Sequence, residues 1–379
     1  MKSAFTILGG GIAGLTAAIA LKAIGIEATV FEAAPAFKPV GAGLVLAANA
    51  MKAYQHLGLY DQLTAAGQDI SQFTFYDDKG KVITRTSTGG LKNGLANFTV
   101  HRAALQKVLL SHLQNGQVIT GKRSKDIVTT NEGYTIFFDD GTEVNTKFVI
   151  VAEGINSAIR KKILPNAQLR FSGYTCWRGI TDNTGLNINE TSETWGTKGR
   201  FGIVPLIDNK IYWFACKNAK AADERMKQYG VNELAANFKD YHSPIISIIR
   251  STPAEHIIWN DIIDLKPQHH YTVGNIVFIG DAAHATTPNM GQGACQAIED
   301  AVILASCINN NTVIEEAFKT FEQKRLKRTH YIVNQSSLLG KVAQLENESL
   351  ASFRNLIFRS LPQKFFQKQV EKVYDINFN

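Results

Sequence analysis

Nowhere in the 379-residue chain do two cysteines stand as CxxC; the four present, Cys176, Cys216, Cys295 and Cys307, are scattered. That scatter argues against a zinc site or a disulfide framework and fits a reducing cytoplasm. No run of Lys and Arg alternates with aromatic residues, so a nucleic-acid partner is not expected. The formal charge of +7 instead suits solvated surface and the attraction of small anions. Internal repeats and low-complexity tracts are also missing. Residues 3–21 carry no charge and follow Lys2, as a signal peptide or membrane span would. Gly9, Gly10 and Gly11 interrupt that run, however, and no cleavage site follows. Neither export nor a membrane span is expected.

What is present reads as alternating strands and helices. With 45% of its residues hydrophobic the chain can bury a full core, and its length favours two folding units over one. Residues 5–8 form an apolar strand, 13–24 an Ala/Leu-rich helix, and 28–31 a second strand, a β-α-β unit of the size a right-handed crossover needs. Residues 73–83 read as a hairpin and 86–94 as a Gly-, Ser- and Thr-rich loop. A helix at 101–113, a hairpin around Asp140-Gly141 and the apolar strand 148–151 follow. Between 173 and 263 strands dominate, at 173–180, 201–205, 211–216 and 256–264, interrupted by a helical stretch at 219–241. The strand 276–279, a helix at 292–308, and a helical region 317–373 broken at Gly340 and near Pro362 complete the pattern.

The expected fold class is α/β, a Rossmann-like dinucleotide-binding domain (residues 1–72, 98–172 and 268–335). A mostly antiparallel sheet is inserted into it (73–97 and 173–267), and C-terminal helices follow (336–379).

Two motifs carry the chemistry. Gly9-Gly10-Gly11-Ile12-Ala13-Gly14 is a GxGxxG between strand and helix. Gly9 permits the tight turn, Gly11 lets bare backbone reach a pyrophosphate, and Gly14 lets the helix pack on the strand. Ile12 and Ala13 supply the helix N-terminus, whose free N–H groups favour anions. Glu32 ends the second strand, where a carboxylate can hold a ribose hydroxyl. The second motif follows the strand 276–279. There Asp281 can bind a polyol chain, the ribityl group that sets flavins apart from nicotinamides. Pro288, Gly291, Gln292 and Gly293 bring a helix N-terminus and exposed backbone close to a flat ligand. FAD is the cofactor these two motifs imply together.

On these residues, with Gly41–Leu44, Asn49-Ala50, Arg102 and Glu153 to Arg160, the chain resembles the group A flavoprotein monooxygenases. That family has the para-hydroxybenzoate hydroxylase fold with a GR2-type FAD domain, and the likeness is strongest to its salicylate-hydroxylase-like branch. The resemblance implies that Arg102 approaches the ribityl and pyrophosphate region. It also implies that Gly43 belongs to a loop flanking the flavin. Arg160 closes a motif, usually DGxxSxxR, that serves FAD and nicotinamide binding. Glu153 stands where that motif has Asp, which bears on NAD(P)H use. The implied activity is hydroxylation of a small aromatic or electron-rich ring: NAD(P)H reduces FAD, O2 adds at C4a, and the hydroperoxide transfers one oxygen atom. The protein would be cytoplasmic, a monomer or homodimer.

Substrate contacts are expected from the inserted sheet. Arg200 could clamp a carboxylate or enolate, and Tyr212 could donate to an oxyanion. A rim cation and a core tyrosine are the bland alternatives. Trp177, Phe201 and Trp213 suit a core as well as a lid, and Arg178 is open between the two. His284 is expected to brace the loop and Cys295 to be a buried, inert thiol. The segment 364–368 reads as an amphipathic packing helix or a membrane contact. Asn289, after the motif proline, counts against urate, since urate-hydroxylating relatives carry an acid there. An FAD-dependent dehydrogenase or reductase on the same fold, and a non-catalytic flavin-binding protein, are the competing readings.

Overall fold

The computed structural model describes residues 2–38, 43–87 and 96–378. Gly41 and Ala42 of the expected flavin-flanking loop, and most of the Gly/Ser/Thr-rich loop, lie outside these residues. Three sheets organise the chain.

The first sheet is built on the strand Lys2–Leu8, which pairs in parallel with Glu143–Val151 on one side and Ala28–Glu32 on the other. Ile276–Phe278 pairs in parallel with Glu143–Val151, and Val118–Thr120 with Ala28–Glu32. Where both faces are covered the inner strands are apolar: Ile7, Val30, Ile150 and Val277 have no exposed surface. Each such side chain contributes about 1.5–3 kcal/mol. Helices Ile12–Ala23 and Gly293–Asn309 supply the cover and pack closely because the contact is small. A methyl group placed on Gly280 would lie 3.0 Å from Ala13 Cβ and 3.1 Å from Ala297 Cβ. The hairpin arm at 143 and the strand at 148–151 are one continuous strand, not two elements.

The second sheet has seven strands, in the order Ile258–Leu265, Leu169–Asp182, Lys210–Asn218, Gly199–Leu206, Thr191–Gly196, Gln72–Asp77 and Val82–Ser87. Its hairpin at 72–87 joins through a parallel pairing of Gln72–Asp77 with Thr191–Gly196. Strand alternation splits this sheet into two faces. Trp177, Phe201, Ile203 and Trp213 point to the helix side and form a core with Leu234, Phe238 and Ile248, so the aromatic residues are core, not lid. The expected helical stretch 219–241 is two short helices, Glu224–Lys227 and Val231–Asn237, and Ile245–Arg250 adds a third.

A three-stranded sheet (Gly43–Leu46, Asn97–His101, Gly67–Ile70) joins the two larger units. Thr99 Oγ1 donates to Pro205 O of the second sheet at 2.9 Å. The helix Ile314–Ala343, about 45 Å long, spans both units. Gly340 does not break it. The helix continues to Ala343, and Gly340 is there because a side chain would meet Asn289 Nδ2 at 2.4 Å.

Candidate active site

At the amino-terminal turn each glycine has a distinct reason. Gly9 adopts φ +105°, a left-handed backbone that suits glycine. A Cβ on Gly14 would sit 1.9 Å from Gly9 O, so the helix can approach the turn only without one. A Cβ on Gly11 would meet nothing within 4 Å. Bare backbone there faces open space at the start of the helix Ile12–Ala23. Glu32 is held at this turn. Its Oε2 accepts from Gly10 N at 2.6 Å and its Oε1 from Ala34 N at 2.8 Å, which fixes the carboxylate while leaving lone pairs for hydroxyl donors.

The second loop mirrors the first. Gly280 (φ +57°) passes the chain from the strand into the short helix Asp281–His284. Asp281 is exposed on one side and crowded by protein on the others. That crowding raises its carboxyl pKa, against the pull of His284, Arg102 and Arg160. Arg102, exposed at the start of the helix Arg102–Ser111, therefore shares its surroundings with Asp281. Pro288 opens a 3-10 turn, Gly291 (φ +62°) is exposed with open space at its Cβ position, and Gln292 caps the helix Gly293–Asn309. Three buried polar atoms around this loop lack any partner among the described residues: Gln292 Nε2, Asn49 Oδ1 and Thr286 Oγ1.

Arg160, expected among the cofactor contacts, is buried. Its guanidinium donates to the carbonyls of Gly154, Ile155, Asp281 and Ala282, so it ties the two loops together from behind. Glu153 accepts from Ser124, from Ser157 Oγ at 2.5 Å and from Ile159 N at 3.3 Å, and so holds Ser157, the cap of the short helix Ala158–Ile163. Burial raises its pKa although these bonds oppose the shift.

His284 acts as the expected brace. It lies 2.6 Å from Asp300 Oδ2, which also accepts from Gly280 N at 2.8 Å. Arg325 contacts Asp300 and Glu299, each at 2.6 Å, and Arg328 contacts Glu299 at 2.7 Å. Sequence reasoning missed this ion network beneath the loop, because Arg325 arrives from a helix 25 residues later. Cys295 is buried, with burial pushing its thiol up to about 12, which removes it as a nucleophile at neutral pH.

Over these loops lies the second face of the seven-stranded sheet. The register aligns Arg200 with Cys216 and Cys176, then Gly202 with Phe214 and Arg178, then Val204 with Tyr212 and Ile180. Arg200 and Tyr212 thus share a face but do not meet, standing four residues apart along the ladder, roughly 13 Å. Phe214 lies between them, flat over Gly202, where a Cβ would be 2.0 Å from its ring. Tyr212 in turn packs on Gly43, at 2.9 Å from a Cβ position, which joins the seven-stranded sheet to the strand Gly43–Leu46. Burial raises the Tyr212 pKa against the opposing charge of Arg178. Burial works against Cys176 ionisation, yet the hydrogen bond with Cys216 and the charges of Arg178 and Arg200 bring its thiol below the ordinary value.

Arg200 is only 2% exposed, and each nitrogen of its guanidinium donates one hydrogen bond. Nε donates to Gln344 Oε1 at 2.8 Å, Nη1 to Glu193 Oε1 at 3.0 Å and Nη2 to Asn289 Oδ1 at 2.8 Å. Asn289 also accepts from Tyr174 Oη at 3.0 Å and donates to Thr287 Oγ1 and Ser336 O. A clamp for a substrate carboxylate needs a cation with free donors. This arginine has a buried counter-ion in Glu193. A separate polar cavity of about 100 Å³, lined by Gln72, Arg85, Thr86, Gln363 and Gln367, lies between the hairpin at 72–87 and the last helix, on other elements than these loops.

The residues fit an FAD. Gly11 and Gly291 leave open space where side chains would stand, two helix N-termini face it, and unpartnered polar atoms surround the second loop. Comparison with known proteins agrees. The FAD binding domain family matches residues 2–336. The chain is 36% identical over 371 residues to aurachin C monooxygenase/isomerase of Stigmatella aurantiaca, covering 95% of each. It is 31% identical to 2-heptyl-3-hydroxy-4(1H)-quinolone synthase of Pseudomonas aeruginosa, covering 94% of each. Among solved structures, Klebsiella pneumoniae HpxO complexed with FAD and uric acid superposes with a TM-score of 0.90. The identity is 27%, over 99% of this chain and 96% of that one.

Proposed function

We propose, from the premise that the chain belongs to the group A FAD-dependent aromatic monooxygenases, that it hydroxylates an uncharged, planar oxo-heteroaromatic ring of the 4-quinolone kind, with NAD(P)H as reductant. One observation carries the choice of ring: the buried Arg200 is neutralised by Glu193. A benzoate-type anion entering that strip would lose its hydration without gaining a free cation at Arg200. An uncharged ring can lie on the Phe214 face, its oxygen accepting from Tyr212 with Arg178 alongside. The name of the Pseudomonas aeruginosa relative, a 4(1H)-quinolone synthase, supports the same ring class.

In this reading Gly9, Gly11, Ile12, Ala13, Gly14 and Glu32 would hold the adenosine and pyrophosphate end of FAD. Gly43, Arg102, Asp281, Pro288, Gly291, Gln292 and Gly293 would hold the ribityl and ring end, with Arg160 fixing the loops behind them. Bound FAD supplies the redox chemistry with O2. The protein's own task is to orient the ring, exclude water from it and stabilise negative charge on its oxygen. Tyr212, kept protonated by burial, would donate to that oxygen, and Arg178 would offset the charge that grows there. Glu153 accepts from Ser157 Oγ and Ile159 N, and so would preserve the loop.

The test is NAD(P)H oxidation by the FAD-loaded protein with a panel of rings. A 2-alkyl-4-quinolone should stimulate flavin reduction at least about tenfold more than salicylate, a difference of about 1.4 kcal/mol. One labelled oxygen atom from O2 should appear in the product. Equal or better stimulation by salicylate would remove the ring assignment. Turnover without oxygen incorporation would favour the dehydrogenase. Glu193→Gln leaves Arg200 without its counter-ion, so the salicylate-to-quinolone ratio of kcat/KM should rise roughly tenfold. An unchanged ratio in a folded, FAD-loaded variant would mean that Arg200 does not sense substrate charge.

A further inference from the structure

The helix Glu348–Ser360 has an inner face that packs on the protein and an apolar outer face that has no partner among the described residues. Ala351, Arg354 and Asn355 are buried, and Phe358 packs on Trp195. Leu350, Phe353 and Ile357, at i, i+3 and i+7, form the opposite stripe with Leu356 beside it, and these four are 43–61% exposed. Phe365 of the next helix, Gln363–Tyr374, is 46% exposed, and its ring meets Phe366, which meets Phe358. The apolar surface therefore continues from one helix to the other. Large apolar patches rimmed by polar residues mark contact sites.

Charge identifies the occupant. Lys364, Lys368 and Lys372 recur every four residues on Gln363–Tyr374, against a single acid, Glu371. Lys364 and Lys368 are exposed and form no ion pair among the described residues, while Lys372 lies over the Tyr331 ring. A second copy of this chain seated face to face would bring the two lysine rows together, whereas an anionic bilayer complements them. Apolar side chains beside a basic row on a surface helix make the arrangement that settles into a headgroup layer. Among the described residues no helix is long and apolar enough to cross a membrane, so the contact is peripheral.

We propose that this two-helix surface docks the protein on anionic lipid bilayers. The inference does not depend on the ring assignment. The test is co-sedimentation of the intact, FAD-loaded protein with vesicles of equal parts phosphatidylglycerol and phosphatidylcholine, against vesicles of phosphatidylcholine alone. Binding to the anionic vesicles and markedly weaker binding to the neutral ones are expected. Lys364→Glu with Lys368→Glu should weaken it roughly twentyfold or more, at about fivefold per lost lysine. Phe353→Ser with Leu356→Ser should weaken it about tenfold or more, with flavin content and melting temperature unchanged, since both side chains are exposed. Absence of binding to anionic vesicles, or binding indifferent to the Phe353/Leu356 pair, overturns the proposal. So does a dimer in sedimentation velocity that the Phe353/Leu356 pair converts to monomer while vesicles stay unbound.

Discussion

Gly14→Ala protein is expected to emerge from purification colourless, with FAD affinity reduced on the order of a hundredfold or more. The added methyl would lie 1.9 Å from Gly9 O and 3.2 Å from Ile7 Cγ2, so the turn or the helix must move by more than an ångström. That displacement would spoil at least two charge-assisted N–H contacts to the pyrophosphate, each worth about 1.5–3 kcal/mol. Gly11→Ala separates this effect from general damage. Its methyl would meet no protein atom within 4 Å, so the fold should melt where the wild type does in the absence of flavin. Its flavin affinity should still fall, because the methyl occupies the space kept for the phosphates. Normal flavin absorbance in both variants would show that the dinucleotide lies elsewhere.

Arg325→Met is expected to lower stability by about 3–5 kcal/mol and the melting temperature by roughly 10 °C. Arg325 has no exposed surface, and neither do Glu299 and Asp300, which it bridges. Removing it leaves two buried carboxylates with less compensation than their desolvation requires. The pH dependence gives a second readout. Burial alone would raise both acids. His284 and Arg325 nonetheless hold Asp300 below its ordinary value, and Arg325 and Arg328 do the same for Glu299. A carboxyl depressed in the folded state adds stability above its unfolded pKa, and that stability is lost as pH falls through the folded value. Wild-type stability should therefore decline below the ordinary carboxylate range. The gap between wild type and Arg325→Met should narrow there, as protonation removes the charges the arginine offsets. Chemical denaturation at neutral and at acid pH measures both effects, and a gap that is constant across pH would rule out the electrostatic account.

The glycine turns were legible from sequence because their requirement is local. Gly9 needs a positive φ and Gly14 needs contact with a residue five positions earlier, and both conditions leave a mark in a six-residue window. The buried strand Thr191–Gly196 left none. Its Thr, Ser, Glu and Thr residues are all buried, so the usual alternation of apolar and polar side chains is absent. They tolerate burial through partners found only in the fold, as when Glu193 takes bonds from Arg200 and Trp195 Nε1. Missing that strand meant missing the counter-ion of Arg200, and so the sequence left that arginine open between a substrate clamp and a rim cation. Gly340 shows the same limit. Its residue type suggested a break, whereas the fold uses its missing side chain to admit Asn289 beside a continuous helix. The nature of Phe214, the flat ring between Arg200 and Tyr212, was equally hidden, since only the cross-strand register places it over Gly202.

The first sheet also sets the order in which a growing chain can become stable. Its central strand Lys2–Leu8 is made long before one neighbouring strand, complete only at Val151, and the next, complete only at Phe278. The helix that seals the opening β-α-β unit, Gly293–Asn309, comes later still. At about 5–20 residues per second, roughly fifteen seconds to a minute pass before that apolar opening is covered. During this interval its bare strand edges can pair with other nascent chains. The first-made strands must therefore stay shielded until the helix Gly293–Asn309 can cover them.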